Sequence, residues 1–543
     1  MQNAEVSEPP IHPTESRKVE MRGLVFGAAL ALAGCSDASV IAPADAINVG
    51  VSADIRGTDP GVRRDANTDN VMAHVVEGLV AYTERGDVAP LLAQNIAISD
   101  DEKTYTFKLR AGIRFHNSAP LTADDVVWSW KRYLDPKTGW VCLPDFDGTN
   151  GARILSVKAL STDTVAFTLD RRQPMFLTQM ASLLCGGSPV LHHSSVNRDG
   201  SWRAPVSTGP YFISTWRRGE FIEMRAFKGY KPLPGPRDGF VGAKIAYAPR
   251  IRWVVIRDGA SRLAALAKGQ IDVVPEITVA EFRQIKRIRN VRIISAPSAL
   301  VNCILLQTKD PLLSDVRIRR ALALAIDLPT VSALVTGGRG AANASMLPTT
   351  SPYHNGIHSK LPQADIAEAK RLLREAGYNG EPIIMTTNRG FVDMFDQALL
   401  VQAMARKVGI NIQLRVTEWA TQLDMFQNGN FQLMSFSYSV RSDPYLRYEA
   451  ILGDRDKSSR KIWGNLEARA LLAMVGQEQD PAKRQSMLNQ MHKLMRADIP
   501  LIVLFNPADN NVVRSNIVGF RSWPIGRTRL WGVRKVQLYR AQK

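Results

Sequence analysis

The stretch Tyr105–Pro136, YTFKLRAGIRFHNSAPLTADDVVWSWKRYLDP, decides how the chain is read. It opens as a strand: Tyr105, Phe107 and Leu109 alternate with Thr106, Lys108 and Arg110, the period of a half-buried strand. Ala111-Gly112 turns the chain, Ile113 and Phe115 add a short apolar pair, and Asn117–Pro120 is a loop. Thr122 followed by Asp125 forms a capping box, with carboxylates in the first turn where the helix dipole favours them. Val126, Val127, Trp130, Tyr133 and Leu134 follow helical spacing, and Asp135-Pro136 ends the helix.

That order of residues resembles the signature block of family 5 extracellular solute-binding proteins, the ligand receptors of bacterial peptide and nickel ABC importers. A second block does the same: Asp315–Asp327, DVRIRRALALAID, is similar to the family's DVRVRQALAYAID. Between them, Ser207-Thr-Gly-Pro-Tyr211 resembles the family's GTGPY turn, with Ser207 in place of glycine. The resemblance implies an α/β fold of two lobes, the periplasmic-binding-protein fold of type II, like the large cluster C, with an extra subdomain in the N-terminal lobe. It implies lobe I over 47–297 plus 508–543, an inserted subdomain over about 75–204, and lobe II over 298–507. Ligand sits in the cleft between the lobes, which closes by hinge motion.

The segments outside the signature blocks fit that plan. Val71–Tyr82 is read as one helix, Leu313–Asp327 as another, and Leu423–Asn428 as a short helix. From Asn302 onward strands alternate with helices, which argues for an α/β lobe.

The 543 residues carry a formal charge of +18. The basic residues are scattered and nowhere interleave densely with aromatics, which speaks for a solvated basic surface and against nucleic-acid binding. The apolar run Gly23–Ala33 is too short to span a bilayer. Preceded by Arg22 and closed by Leu32-Ala-Gly-Cys35, it reads as a bacterial lipoprotein signal over 1–34. Cys35 is then the lipidated residue, 35–46 a tether, and Met21 the start of translation. Beyond Cys35 there are three cysteines, with no zinc spacing. In an oxidising compartment Cys142 and Cys185 are free to pair, while Cys303 sits in an apolar strand as a small hydrophobe.

No nucleophile elbow, P-loop or His-Glu-x-x-His occurs, so no catalytic residue and no cofactor is assigned. His192-His193 and His354-x-x-x-His358 raise a metal question. Asn355-Gly356 breaks the helix that the second spacing would need, and no metal ligand is assigned.

The informative stretch is Phe436-Ser-Tyr-Ser-Val-Arg-Ser-Asp-Pro-Tyr445, a loop at the C-terminal end of a strand, the edge that faces the ligand crevice in α/β sheets. In peptide-binding members this loop resembles W-ADY-DP, whose first Asp pairs with the peptide's amino terminus. Aligned on Asp443-Pro444, that position holds Val440, and Arg441 follows. A buried ammonium needs a carboxylate, so this cleft suits an anionic ligand or one without a free ammonium. Tyr438 and Asp443 frame the loop, Asp443 mainly to make its turn. Trp419, Arg389, Asp54 and Arg56 follow other strands and are further candidates for the cleft.

The expected function is therefore the substrate-binding component of an ABC importer, a monomeric, non-enzymatic, lipid-anchored periplasmic receptor. Its partners are a small-molecule or peptide ligand, the inner-membrane permease with its ATPase, and the membrane, with no nucleic acid. The alternatives are a receptor for an anionic sugar, an opine-like conjugate or a metal chelate, and a periplasmic enzyme or chaperone on the same scaffold.

Overall fold

A computed structural model describes residues 45–478 and 480–537. The expected signal segment, Cys35 and nearly all of the tether lie outside the described residues. No helix among the described residues is long and apolar enough to cross a membrane.

The signature stretch folds as its pattern dictates. Thr104–Leu109 is a strand whose Tyr105, Phe107 and Leu109 are buried. Ala123–Tyr133 is the helix; the Thr122 backbone N–H and hydroxyl donate to Asp125 Oδ2 at 2.9 and 2.7 Å, closing the capping box. Its inner face buries Trp130 and Tyr133. The Trp130 ring meets Phe146 and Phe167 edge-on, each at 5.1 Å between centroids. A disulfide joins Cys142 to Cys185 next to this cluster, and Cys303 is free and buried.

Two large sheets organise the molecule. The first has seven strands, in the order Val291–Pro297, Ala508–Arg514, Val273–Val274, Ala46–Val51, Arg250–Val255, Phe221–Ala226 and Tyr211–Arg217. The second has six: Ala341–Ala342, Leu501–Asn506, Val301–Leu306, Leu433–Tyr438, Ile383–Thr387 and Ile412–Val416. The chain passes between them twice, after Pro297 and after Asn506. The two crossings run side by side: Pro297 pairs with Ala508, Ser298 N–H donates to the Pro507 carbonyl at 3.0 Å, and Asn506 Nδ2 donates to the Leu300 carbonyl at 2.6 Å. Two adjacent strand-like connections link the sheets, the form that a hinge takes.

A four-stranded antiparallel sheet, Ala93–Ile98, Thr104–Leu109, Thr164–Leu169 and Ile154–Ser161, stands beside the seven-stranded one. Its apolar face shares one continuous core with the larger sheet: Phe107 and Phe167 belong to the same cluster as Ile47, Ile251 and Trp253.

Three expectations change. The run Val71–Tyr82 is not one helix but a helix Ala66–Met72, a turn, and a strand Val80–Tyr82. Val71, Val75, Val76, Leu79 and Val80 are all buried, so the run has no solvent face to sustain an amphipathic helix. At Gly78 the chain passes so close to Gly187 that an added Cβ would lie 2.2 Å from its carbonyl oxygen. The run Leu313–Asp327 starts later, at Val316, and ends at Ala325, because Asp327 caps a second helix, Leu328–Thr336, by accepting from Thr330 N–H. The short helix expected over Leu423–Asn428 starts one turn earlier, at Trp419.

Candidate functional site

Three strands of the six-stranded sheet, Ile383–Thr387, Ile412–Val416 and Leu433–Tyr438, run parallel. Their C-terminal ends therefore share one edge, and the segments that leave them carry Arg389, Trp419 and the Ser439–Asp443 loop. That loop reaches the other lobe. Val440 packs against the core cluster of the seven-stranded sheet, and a Cβ added at Gly86 would sit 3.3 Å from the Ser442 Cβ.

Tyr438 ends its strand buried, with no hydrogen-bond partner for its hydroxyl; burial pushes that hydroxyl's pKa far up. The Arg441 guanidinium lies over the Tyr438 ring, 5.6 Å from its centroid, and donates to the Ser439 carbonyl at 3.3 Å. Among the described residues no carboxylate lies within 4.0 Å of Arg441. The surrounding protein lowers the Arg441 pKa, with Tyr438 and Glu449 opposing and Arg460 reinforcing the shift. Asp443 is occupied: it caps the helix Pro444–Glu449 through Tyr445 N–H at 2.7 Å and pairs with Arg484 at 2.6 Å.

Sequence reasoning missed the charged groups around this loop. Arg447, buried, donates to the Ala299 carbonyl at the hinge at 3.1 Å, and burial followed by the Arg441 charge lowers its pKa to about 9. Glu449 is held by Lys461 at 2.5 Å and by Arg460 at 3.8 Å. Burial would raise its pKa, but these cations keep it below the usual range. Across the cleft Asp145, from the first lobe, is pushed up to about 6 by burial, with Glu449 adding and Asn150 and Arg460 opposing. The basic cluster Lys457-Ser-Ser-Arg-Lys461 was the one available signal, and nothing in the sequence links it to Asp145, more than 300 positions earlier.

A second, acidic pole lies by the hinge. Glu276 is exposed with a left-handed backbone (φ 55°), and the surrounding protein raises its carboxyl pKa, with Asp509 and Asp65 adding and Arg527 and Arg262 opposing. Asp509, in the hinge strand Ala508–Arg514, is raised by burial and accepts from Asn511 Nδ2 at 3.0 Å.

The remaining candidates divide. Trp419 meets Phe391 edge-on at 4.9 Å and Phe436 at 5.9 Å, and Phe391 is 47 % exposed, so an aromatic wall is open at this edge. Arg389 is exposed and lies over the Phe395 ring at 4.6 Å. Asp54 is engaged within its own lobe: it accepts from Trp216 Nε1 at 3.0 Å and Gly219 N–H at 2.8 Å. Arg56 is exposed, and its backbone N–H donates to Thr68 Oγ1 at 3.0 Å.

A charged loop from one lobe is thus seated against the wall of the other, beside the paired crossings. The chain is similar over most of its length to known proteins. The chain is 25% identical over 525 residues to the "Probable deoxycholate-binding periplasmic protein YgiS" of Escherichia coli K12, covering 92% of this chain and 94% of that one. It is 24% identical over 496 residues to the dipeptide-binding protein of the same organism, covering 86% and 89%. Its fold matches the periplasmic binding protein DppA of Helicobacter pylori in complex with the peptide STSA, with a TM-score of 0.76, 21% identity and coverage of 90% and 98%. Such relatives are substrate-binding proteins of ABC importers. Residues 87–459 match the family described as bacterial extracellular solute-binding proteins, family 5, and the chain belongs to that family.

Proposed function

We propose that this substrate-binding component of an ABC importer captures an anionic solute, an organic acid or a carboxylate-bearing conjugate, and delivers it to the permease. The observation that carries the reading is Arg441. It stands at the tip of the cleft loop without a carboxylate, with Arg447 and Arg460 adding positive charge. A guanidinium drawn out of bulk water without a counter-charge is expensive, and a ligand anion supplies it. Val440 removes the carboxylate that would favour an ammonium at the same place. The open aromatic edge of Phe391 and Trp419 suits an apolar portion of the same solute. The resemblance to a protein named for binding deoxycholate, a carboxylate on an apolar frame, supports this class.

A second reading follows from the acidic pole. A peptide would place its amino terminus at Glu276 and Asp509 rather than at position 440, with its carboxylate at Arg441. In both readings the protein works by reversible binding and closure, with no covalent step, as a periplasmic monomer tethered through lipid on Cys35.

Calorimetry with deoxycholate, a neutral bile alcohol and a dipeptide separates them. The first reading expects the acid to bind, the alcohol to fail, and Arg441→Ala to weaken the acid roughly tenfold to a hundredfold, the worth of a charged hydrogen bond. Equal affinity for acid and alcohol, or no effect of Arg441→Ala, overturns it. Tight dipeptide binding that Glu276→Gln abolishes establishes the second. The intact mass of the membrane-extracted protein tests lipidation at Cys35.

A further inference from the structure

His354-x-x-x-His358 does not lie on one continuous helix, but tertiary structure brings the two rings together and adds a third. His354 precedes the short helix Gly356–Ser359, which holds His358, and His492 comes from the long helix Pro481–Asp498 packed beside it. The His354 and His358 ring centroids are 5.8 Å apart, and those of His358 and His492 are 4.6 Å apart. His358 is 0% exposed and His492 4%.

The unusual feature is what these rings lack. His354 Nε2, His358 Nε2 and His492 Nδ1 are all buried with no hydrogen-bond partner. Buried polar atoms are normally satisfied, and three orphan imidazole nitrogens in one cluster call for an explanation.

For His358 the proton position follows from its neighbours. Asn355 caps the short helix, its Oδ1 accepting from Ile357 N–H at 3.2 Å, and its Nδ2 donates to Asn489 Oδ1 at 3.1 Å. The amide is thereby oriented, so the 2.8 Å contact between His358 Nδ1 and Asn355 Oδ1 is a donation by the ring. Nε2 is left as a buried lone pair without a partner. A metal-ligating histidine is prepared in this way, with one nitrogen donating to an oxygen so that the other is free to coordinate.

We propose that His354, His358 and His492 bind one divalent transition-metal ion of intermediate softness, such as zinc, nickel or copper(II), at a site in the second lobe separate from the Ser439–Asp443 loop. Three neutral imidazoles and a water complete a four-coordinate shell. Asn355 is the positioning residue for His358. Arg496, one turn beyond His492 and exposed, is a charged group that the ion has to tolerate.

Two other donor sets among the described residues converge more tightly, with all donor atoms within 4.8 Å: Asp125, His192 and His193, and Cys142, Asp145 and Cys185. The cysteines of the second are consumed by their disulfide. In the first, His192 Nδ1 accepts from Ser194 N–H at 3.2 Å, which puts the proton on Nε2, and Asp125 is committed to its capping box. The triad's nitrogens stand farther apart but are free. Closing them onto an ion requires a turn of the His354 ring, held at Nδ1 only by a 3.4 Å contact with Ser359 Oγ.

The test uses tag-free protein stripped with chelator and titrated with zinc by calorimetry and with cobalt(II) by visible absorption. One equivalent should bind, with the intense bands of a four-coordinate cobalt site. His358→Gln and His492→Gln should each weaken zinc at least about tenfold, and Asn355→Ala about tenfold with the stoichiometry unchanged, the usual cost of losing an outer-shell partner. His192→Gln/His193→Gln should leave binding unchanged, as should Arg441→Ala. Thermal melting without metal checks that each variant folds; should His358→Gln or His492→Gln fail, His354→Gln and Asn355→Ala give the same reading. Absence of one-equivalent binding, or binding lost in His192→Gln/His193→Gln instead, overturns the proposal.

Discussion

At the scale of single residues, the charged groups sort into those satisfied within the fold and those that the proposed function leaves for a ligand. Glu77 and Lys244 form a fully buried pair at 2.5 Å, and the Glu77 carboxylate also accepts from Thr208 and Tyr230 at 2.9 and 3.1 Å. Removing one partner strands the other. Lys244→Met should cost about 3–5 kcal/mol at neutral pH, measured by urea denaturation; a loss below 1 kcal/mol would show the pair to be dispensable. Arg441 is the opposite case, a cation without an internal partner. Val440→Asp places a carboxylate beside it, so this variant should bind anions more weakly and ammonium-bearing peptides more tightly, read by calorimetry on both ligand types. The position of Arg441 at a strand's end was legible from the sequence. Its lack of a partner was not, because that depends on where Glu449, Asp443 and Asp145 point after folding.

At the scale of elements, the turns of the first lobe are tied by two neutral histidines, His74 buried and His116 partly so. His74 Nδ1 donates to the Asn70 carbonyl at 2.8 Å while its Nε2 accepts from Leu530 N–H at 3.0 Å, joining a helix end to the C-terminal segment. His116 Nε2 donates to the Gly209 carbonyl at 3.0 Å. Burial lowers their pKa values to about 3 and about 4. A protonated ring cannot accept at Nε2, and the unfolded chain takes up its protons near pH 6.5. Stability from these residues is therefore complete above about pH 6.5 and lost as pH falls towards about 4 for His116 and about 3 for His74. Denaturation midpoints should drop steadily over that window, and His116→Gln should flatten part of the slope; an unchanged midpoint from pH 7 to 4 would refute this. The disulfide acts on the same lobe. It closes a loop of 43 residues, worth about 4 kcal/mol as unfolded-chain entropy, so Cys142→Ser/Cys185→Ser should lower stability by roughly 2–4 kcal/mol. The signature strand and capped helix were readable because their patterns are local. The Val71–Tyr82 run differs from its helical reading because a run buried on every side, with even His74 and Glu77 inside, has no solvent-facing periodicity to separate helix from strand.

At the scale of the whole molecule, the proposed function rests on two sheets joined by paired crossings, so that a ligand held by one lobe would be covered by the other. Ser442 lies against Gly86 where the lobes meet. Ser442→Trp should prop them apart, weakening ligand binding at least about tenfold while leaving the melting temperature of the ligand-free protein near wild type; small-angle scattering should show a larger radius of gyration with ligand present. Unchanged affinity in that variant would mean that the loop does not close on the wall. The sequence by itself determined the family, the strand–helix punctuation and the loop at the sheet edge, since these are written in short runs of residues whose periodicity and caps act over one or two turns. Only the tertiary structure decided which charges face each other, that Asp145 confronts Glu449 and Arg460 and that Glu276 joins Asp509 at the hinge. It alone decided that His492 completes a cluster with His354 and His358. Electrostatic partners are chosen by distance in space, and residues more than a hundred positions apart leave no mark of that distance in the order of the chain.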